Sequence, residues 1–563
     1  MRTSVVALVV LAPASLAQGS AARAQDVEML GRLHGVRPPQ AYYEIVGRDP
    51  TAFRFRRVWI EEARRVRERR HALARAGDVD ALNAHFTPGG PSPSAAAAAG
   101  TAVTGTFRIP VLMGFFRDST HVLQPSVAAI DSVLFDATAP PYSVRTYYDE
   151  VSNGLVTVVG DVFGWHKADS AAAWYEGSNK GLNPATDRTG HFLRELLDAF
   201  DATVDFSRYD RNGDGYVDLL AVLHPLRGGE CGSSHIWSHR WVYRAWFGSP
   251  YTTNDGVQVD DYIIQPAVGG PTGCDSTRLM PIGTFAHELG HGMADLPDLY
   301  NTETGGPGVG VWDLMAVGNW NTQTAPAHLS AWSKEDVGWI AVDTILAGAP
   351  ATTRTLRPIV TSDTAIRIHL TDTNEYFLLE NRRRLGSDAN LRGEGLLIWH
   401  IDPDSVATRR PFNQVNARLP FAVALEQADG LFHLENAANS GDAGDPYPGS
   451  TNNTAFGPGT NPASTRNDGT GTGLGVDSIT VNPDGSVAFR VRFNLVEVRI
   501  TTNVPGTRVI VDGAAFPAPY DVVWTYPSTH TIAVDSIQGD TLVRHVWERW
   551  SDGGAREHPV TAD

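Results

Sequence analysis

Two histidines four residues apart, with a glutamate beside the first, are the side chains best placed to do chemistry: His287-Glu288-Leu289-Gly290-His291. On an α-helix, positions i and i+4 share a face, so both imidazoles can reach one metal ion. The H-E-x-x-H spacing suits zinc, with Glu288 beside the ion as the general base for water. Pro281-Ile282-Gly283-Thr284 ahead of it supplies a turn and, in Thr284, a candidate N-cap.

A zinc site of this kind needs a third protein ligand. The chain continues Gly292-Met293-Ala294-Asp295-Leu296-Pro297-Asp298-Leu299-Tyr300. Asp295 stands at i+4 from His291 and would stay on the ligand face of a continued helix. Asp298 follows a proline, expected beyond a helix end, and so would lie on chain turning back toward the metal. Asp298 is the preferred ligand; Asp295 and the more distant Glu335, in the helical stretch 327–337, are the alternatives. Trp312-Asp313-Leu314-Met315-Ala316-Val317-Gly318 sets a methionine shortly after the motif, as in the Met-turn beneath metzincin sites. Met315 would pack under the metal without binding it.

Asp210-Arg211-Asn212-Gly213-Asp214-Gly215-Tyr216-Val217-Asp218 matches the first nine positions of an EF-hand-type calcium loop. Asp210, Asn212, Asp214 and Asp218 offer side-chain oxygens, Tyr216 its carbonyl, and Gly215 the sharp turn. The twelfth position is Ala221 where a bidentate glutamate is expected, so another carboxylate such as Asp205 must close the shell. His235-Ile236-Trp237-Ser238-His239 repeats the four-residue spacing without a glutamate after His235. A second zinc site, an oxyanion-stabilising role in a cleft and plain burial all fit it, and Tyr300 is a further candidate donor. Gly441-Asp442-Ala443-Gly444-Asp445-Pro446-Tyr447 is an acidic turn that either binds calcium or is simply solvated.

The elements that must position these groups follow from composition and periodicity. A chain of 563 residues is too long for one core and implies about three or four domains. Residues 104–345 alternate apolar strands with helical patterns, an α/β signature, and hold all the zinc candidates. Residues 346–495 are dominated by short alternating strands and read as an all-β, sandwich-like domain; 496–563 form a further β module. At the N-terminus, Arg2, an apolar run over 4–16 and Ala22-Arg23-Ala24 read as a secretory signal peptide over 1–24, too short to span a membrane. Residues 25–103 read as a propeptide, Arg- and Glu-rich with helical periodicity over 52–76, closed by a Pro/Gly/Ser/Ala linker over 88–99. A formal charge of −17 argues against nucleic acid or an anionic membrane as the main partner. Cys231 and Cys274 are the only cysteines, and in an oxidising compartment they are expected to pair. With none before position 231, a cysteine-switch propeptide is excluded.

Many motifs in one order resemble the immune-inhibitor-A family of secreted bacterial metallopeptidases over about 104–495. They include Tyr147-Tyr148-Asp149-Glu150-Val151-Ser152, Gly160-Asp161-Val162-Phe163-Gly164-Trp165, the aspartate loop, Ile236-Trp237-Ser238-His239 and the histidine pair. Pro297-Asp298-Leu299-Tyr300, Leu379-Glu380-Asn381-Arg382 and Gly395-Leu396-Leu397-Ile398-Trp399-His400-Ile401-Asp402 continue the series. The pattern departs from that family where Ala294 replaces a usual glycine and Pro297-Asp298 falls about one residue late, with Gly292 as the substitute turn. The resemblance implies a metzincin-like α/β zincin catalytic domain followed by all-β domains, zinc- and calcium-dependent proteolysis, and propeptide latency. The last module, with Trp550-Ser551-Asp552-Gly553-Gly554, resembles small extracellular β-sandwich repeats, which implies attachment or carbohydrate contact.

The expected function is a secreted zinc endopeptidase acting on proteins or peptides, made as a zymogen and stabilised by calcium. Cleavage near 95–104 would release activity, and Asp49 and His71 are among the groups that could reach the zinc before it. A catalytically silent adhesion or carbohydrate-binding protein on a peptidase scaffold is the rival from another class, and the intact Glu288 argues against it. A zinc hydrolase of non-peptide substrates is a third reading.

Overall fold

The computed structural model describes residues 102–562 except 371–373, 526–527 and 540–541, together with residues 65, 67–69 and 72–73. The expected signal peptide, Asp49, His71 and nearly all of the expected propeptide and linker lie outside the described residues.

The first sheet is built from β1 (Gly105–Phe115), β2 (Val156–Lys167), β3 (Leu220–His224), β4 (His239–Val242) and β5 (Asp261–Pro266), in the order β2-β1-β3-β5-β4. The first four of that order run parallel, and β4 closes the edge antiparallel to β5. Strand alternation sends successive side chains of β1 to opposite faces. Val111 and Met113 join one core with Ile130 and Leu134 of α1 (Val127–Phe135) and Val144 and Tyr147 of α2 (Val144–Val151). Leu112 joins a second core with Phe192, Leu193 and Leu196 of α3 (Thr189–Phe200). Both faces are therefore covered, and β3, buried at all five positions, is a continuous apolar run ending in His224, as parallel strands are.

Helix α4 (Gly283–Ala294) lies on the α1 and α2 side, where Phe285, Ala286, Leu289 and Met293 enter the first core. Its start differs from expectation. Thr284 lies inside the helix and makes no cap; the amides of Ile282 and Gly283 donate to the Gln323 carbonyl at 3.1 and 2.9 Å. The helix has already begun at Gly283, so Thr284 is not the half-in flanking residue that a cap requires. Helix α5 (Ala331–Val337) is shorter than the stretch 327–337 and is capped by Ser330. Cys231 and Cys274 form a disulfide with Cα atoms 5.5 Å apart.

Strand β6 (Ala341–Leu346) spans the expected boundary at 345, yet it pairs in parallel with β8 (Thr364–His369), so the change of sheet falls ahead of Ala341. With β9 (Tyr376–Arg382), β10 (Gly395–Ile401) and β11 (Val423–Leu425) it forms the order β6-β8-β9-β10-β11. A three-stranded sheet holds β7 (Thr352–Leu356), β12 (Leu474–Val481) and β13 (Val487–Phe493) in the order β7-β13-β12. Ile366, Leu379 and Ile398 pack with Val476, Phe489 and Val491 in a shared core. The alternate residues Leu378, Leu397 and Trp399 enter the core of the first sheet, so the two domains share apolar burial. The last module is a small β unit with its own core of Val509, Trp524 and Ile532. Its hairpin Arg508–Val511 to Ala514–Pro517 turns at Asp512 and Gly513, both at positive φ, as a two-residue hairpin turn requires. Among the described residues no helix is long and apolar enough to cross a membrane.

Candidate active site

Helical spacing on α4 sets His287 and His291 side by side, both buried, with their Nε2 atoms 3.2 Å apart. Each ring is fixed from behind. Nδ1 of His287 donates to the Leu314 carbonyl at 3.0 Å, and Nδ1 of His291 to the Leu296 carbonyl at 2.6 Å. That tautomer leaves both Nε2 lone pairs facing inward.

The helix ends at Ala294, and Asp295 takes a left-handed conformation, φ 52°. The turn is therefore made at Asp295, not at Gly292. Gly292 stays helical, and a Cβ there would stand 2.8 Å from the Leu219 side chain, so its hydrogen allows close packing. Past the turn, Asp298 comes back to the histidines with Oδ1 3.2 Å from each Nε2. The three atoms form a triangle of equal 3.2 Å edges. Ligands about 2.0 Å from one tetrahedral ion stand about 3.3 Å apart, so the triangle fits a zinc face. Asp298 Oδ1 is buried and accepts no protein hydrogen bond. Two inward lone pairs and an orphaned carboxylate oxygen are a donor set that calls for a cation.

The other two third-ligand candidates are turned elsewhere. Asp295 pairs with Arg67 at 2.7 Å, and Glu335 is held by Arg367 and by the Tyr376 hydroxyl. Asn413, from the second domain, clamps Asp298. Its Nδ2 donates to Asp298 Oδ2 at 2.6 Å and its Oδ1 accepts the Asp298 amide at 2.7 Å. Nothing in local sequence points to Asn413; only the fold brings it there.

Glu288 is buried beside the triangle, and burial pushes its carboxyl up to about 8, with the His287 imidazole opposing and the Asp298 and Glu230 carboxylates adding to the rise. Glu230, another buried carboxylate that sequence reasoning missed, is held by the amide and hydroxyl of Ser238 at 3.0 and 2.5 Å. Met315 lies under the helix. A Cβ on Gly290 would stand 2.7 Å from its sulfur, so the fourth residue of the motif must be small. The turn is held by Asp313, which accepts from the Met315 amide at 2.6 Å, the Ser330 amide at 2.8 Å and the Ser333 hydroxyl at 2.7 Å.

His235 and His239 do not converge. His235 Nδ1 lies 2.7 Å from Glu176, and buried His239 bonds the Trp237 carbonyl and the Tyr262 hydroxyl. Burial pushes the His239 imidazole down to about 4, which suits a neutral core residue. Tyr300 is also buried. In the aspartate loop, Asp210 accepts from the amides of Gly213, Asp214 and Gly215, and Asp214 from that of Tyr216. The loop is thereby curled on its own carboxylates. Asp205 serves as a cap for Ser207 instead of closing the loop.

Comparison with known proteins places this geometry in a family context. Residues 135–343 match the family model described as immune inhibitor A peptidase M6, catalytic domain. A pre-pro-metalloprotease PrtV of Vibrio cholerae serotype O1 is 32% identical over 225 residues, covering 34% of this chain and 23% of that protein. An immune inhibitor A of Bacillus thuringiensis subsp. alesti is 30% identical over 231 residues, covering 34% of this chain and 31% of that protein. The chain thus spans less than a third of the length of these curated relatives. The matched span contains the histidine pair, Asp298 and the aspartate loop, and stops ahead of Asn413. The likeness to immune-inhibitor-A-like metallopeptidases drawn from the motifs holds.

Proposed function

We propose, from this kinship and from the 3.2 Å triangle of His287, His291 and Asp298, that the protein is a secreted zinc endopeptidase on a zincin-type α/β domain. The triangle is the observation that carries the reading. Zinc held there would supply Lewis acidity to the scissile carbonyl and acidify water. Glu288 takes the proton of the attacking water on its carboxylate and passes it to the departing amine nitrogen. The carbonyls of Leu314 and Leu296 hold the two rings in register, and Asn413 holds Asp298.

Latency is supported by Arg67, which lies in the expected propeptide. Buried to 8% exposure, its guanidinium bridges Asp295 at 2.7 Å and Asp336 at 3.1 Å, at the foot of the metal-binding helix. The Vibrio relative is a pre-pro-metalloprotease by name, which agrees with a zymogen. Val103 donates to the Val337 carbonyl and its own carbonyl accepts from the Trp339 indole, so the activating cut belongs ahead of Ala102. Calcium in the aspartate loop, held by Asp210, Asn212, Asp214, Tyr216 and Asp218, would stabilise the fold next to β3. Protein or peptide substrates and surface or carbohydrate contact by the last module complete the proposal. Casein zymography of the protein cut in the linker, with and without a chelator, tests it. Clearing abolished by the chelator and restored by zinc is expected; no clearing in any lane would favour the silent adhesion protein.

A further inference from the structure

The acidic turn of the second domain converges on more than solvent. Asp429, His433 and Asp442 each present a ligand atom, all within 4.8 Å of one another. One oxygen of each carboxylate already accepts a backbone amide. Asp429 Oδ1 accepts the Leu431 amide at 2.9 Å, and Asp442 Oδ1 the Gly444 amide at 2.7 Å. Asp442 Oδ2 lies 3.3 Å from His433 Nδ1, and the Asn439 amide nitrogen sits 2.6 Å from that oxygen and 2.9 Å from that ring nitrogen. Gly444 permits the approach, since a Cβ there would stand 2.5 Å from Asp429 Oδ2 and 3.0 Å from Asp442 Oδ1.

A third carboxylate supplies the independent observation. Asp445 has no exposed surface. Its Oδ2 accepts the Trp312 indole at 2.8 Å and the Asp442 amide at 2.9 Å, while its Oδ1 is buried with no partner. Burial, with the neighbouring charges of Asp442 and Asp429, raises its carboxyl to about 7 against the two hydrogen bonds it accepts. The nearby cation, Arg392, donates to the Gly441 carbonyl at 2.9 Å. Asp445 thus stands next to the group through the Asp442 amide, with a buried carboxylate oxygen left over.

From this geometry we infer that Asp429, His433 and Asp442, backed by Asp445, bind a divalent cation of the zinc class at a site separate from His287 and His291. An imidazole among carboxylates selects a borderline cation such as zinc over calcium, which takes oxygen ligands alone. The ion displaces the Asn439 amide from between His433 and Asp442. It also fastens the second domain to the active site, because Asp445 holds Trp312 and the Ser440 carbonyl accepts the Val311 amide at 2.9 Å, both just ahead of the Met315 turn.

The test is equilibrium dialysis of the full-length protein against zinc, followed by elemental analysis of wild type, His433→Gln, Asp429→Asn and His291→Ala. Two zinc ions per chain are expected in wild type and one in each variant. The retained ion in His433→Gln and Asp429→Asn shows that those variants are folded. A melting temperature that rises with the second equivalent in wild type and not in His433→Gln is also expected. Zinc content that His433→Gln leaves at the wild-type value overturns the inference. A loss in Asp429→Asn without one in His433→Gln overturns the imidazole's part and with it the zinc class. Failure of the peptidase reading would show instead as a zinc content that His291→Ala leaves at the wild-type value.

Discussion

Asn413 grips Asp298 at both ends of the residue, donating to its carboxylate at 2.6 Å and accepting its amide at 2.7 Å. The third arm of the proposed metal triangle is therefore set by a residue outside the matched catalytic span. Removing such a partner of a metal ligand typically costs about 10–100-fold in affinity. Asn413→Ala is expected to weaken zinc by that order in a chelator competition, Asp298→Ala to weaken it further, and Asp295→Ala to leave it near wild type. Zinc lost only in the Asp295 variant, or only on changing Glu335, would show the third ligand to be misassigned.

Arg67 predicts how latency is held. Its bridge to Asp295 and Asp336 is buried, and breaking a buried pair costs about 3–5 kcal/mol. Arg67→Ala in the uncut chain is expected to raise peptidase activity toward that of the form cut in the linker. Uncut Arg67→Ala with unchanged latency would place the inhibitory contact elsewhere in the segment.

For the aspartate loop the readout is stability. Calcium that binds the folded state alone raises the melting temperature with concentration. Asp214→Ala should melt in calcium buffer near the temperature that wild type shows with chelator. An undiminished calcium response in that variant would leave the loop a plain turn.

His400 sets a pH dependence away from the metal. Burial opposes its charge, but Glu375 at 2.8 Å and Glu426 at 3.3 Å outweigh burial and push the imidazolium up to about 9. A folded-state value raised above the unfolded one adds stability that is full below about 6.5 and fades as pH rises through about 9. Denaturant unfolding should therefore show wild type losing on the order of 3 kcal/mol more than His400→Gln between those limits. Parallel profiles for the two proteins would remove the imidazolium from the account.

What could be read from the sequence follows from range. His287, Glu288 and His291 share one helical turn, so their common face is dictated by helix geometry alone. The proline before Asp298 marked the return of the chain. Thr284 misled because the helix starts one residue earlier, at Gly283, where the Gln323 carbonyl, which only the tertiary fold delivers, accepts the amides of Ile282 and Gly283. Gly292 misled in the same way, since its missing side chain makes room for Leu219 and the turn falls on an aspartate. Asn413, Glu230 and Arg67 lay beyond reach, because each meets the site from a distant segment and none carries a local pattern.

The most direct measurement is zinc content and peptide hydrolysis of Glu288→Gln beside wild type, both cut in the linker. Because Glu288 carries the proton and lies outside the triangle, the variant should keep one zinc at His287, His291 and Asp298 while turnover falls by several orders of magnitude. Turnover near wild type in a zinc-loaded Glu288→Gln protein would contradict the account.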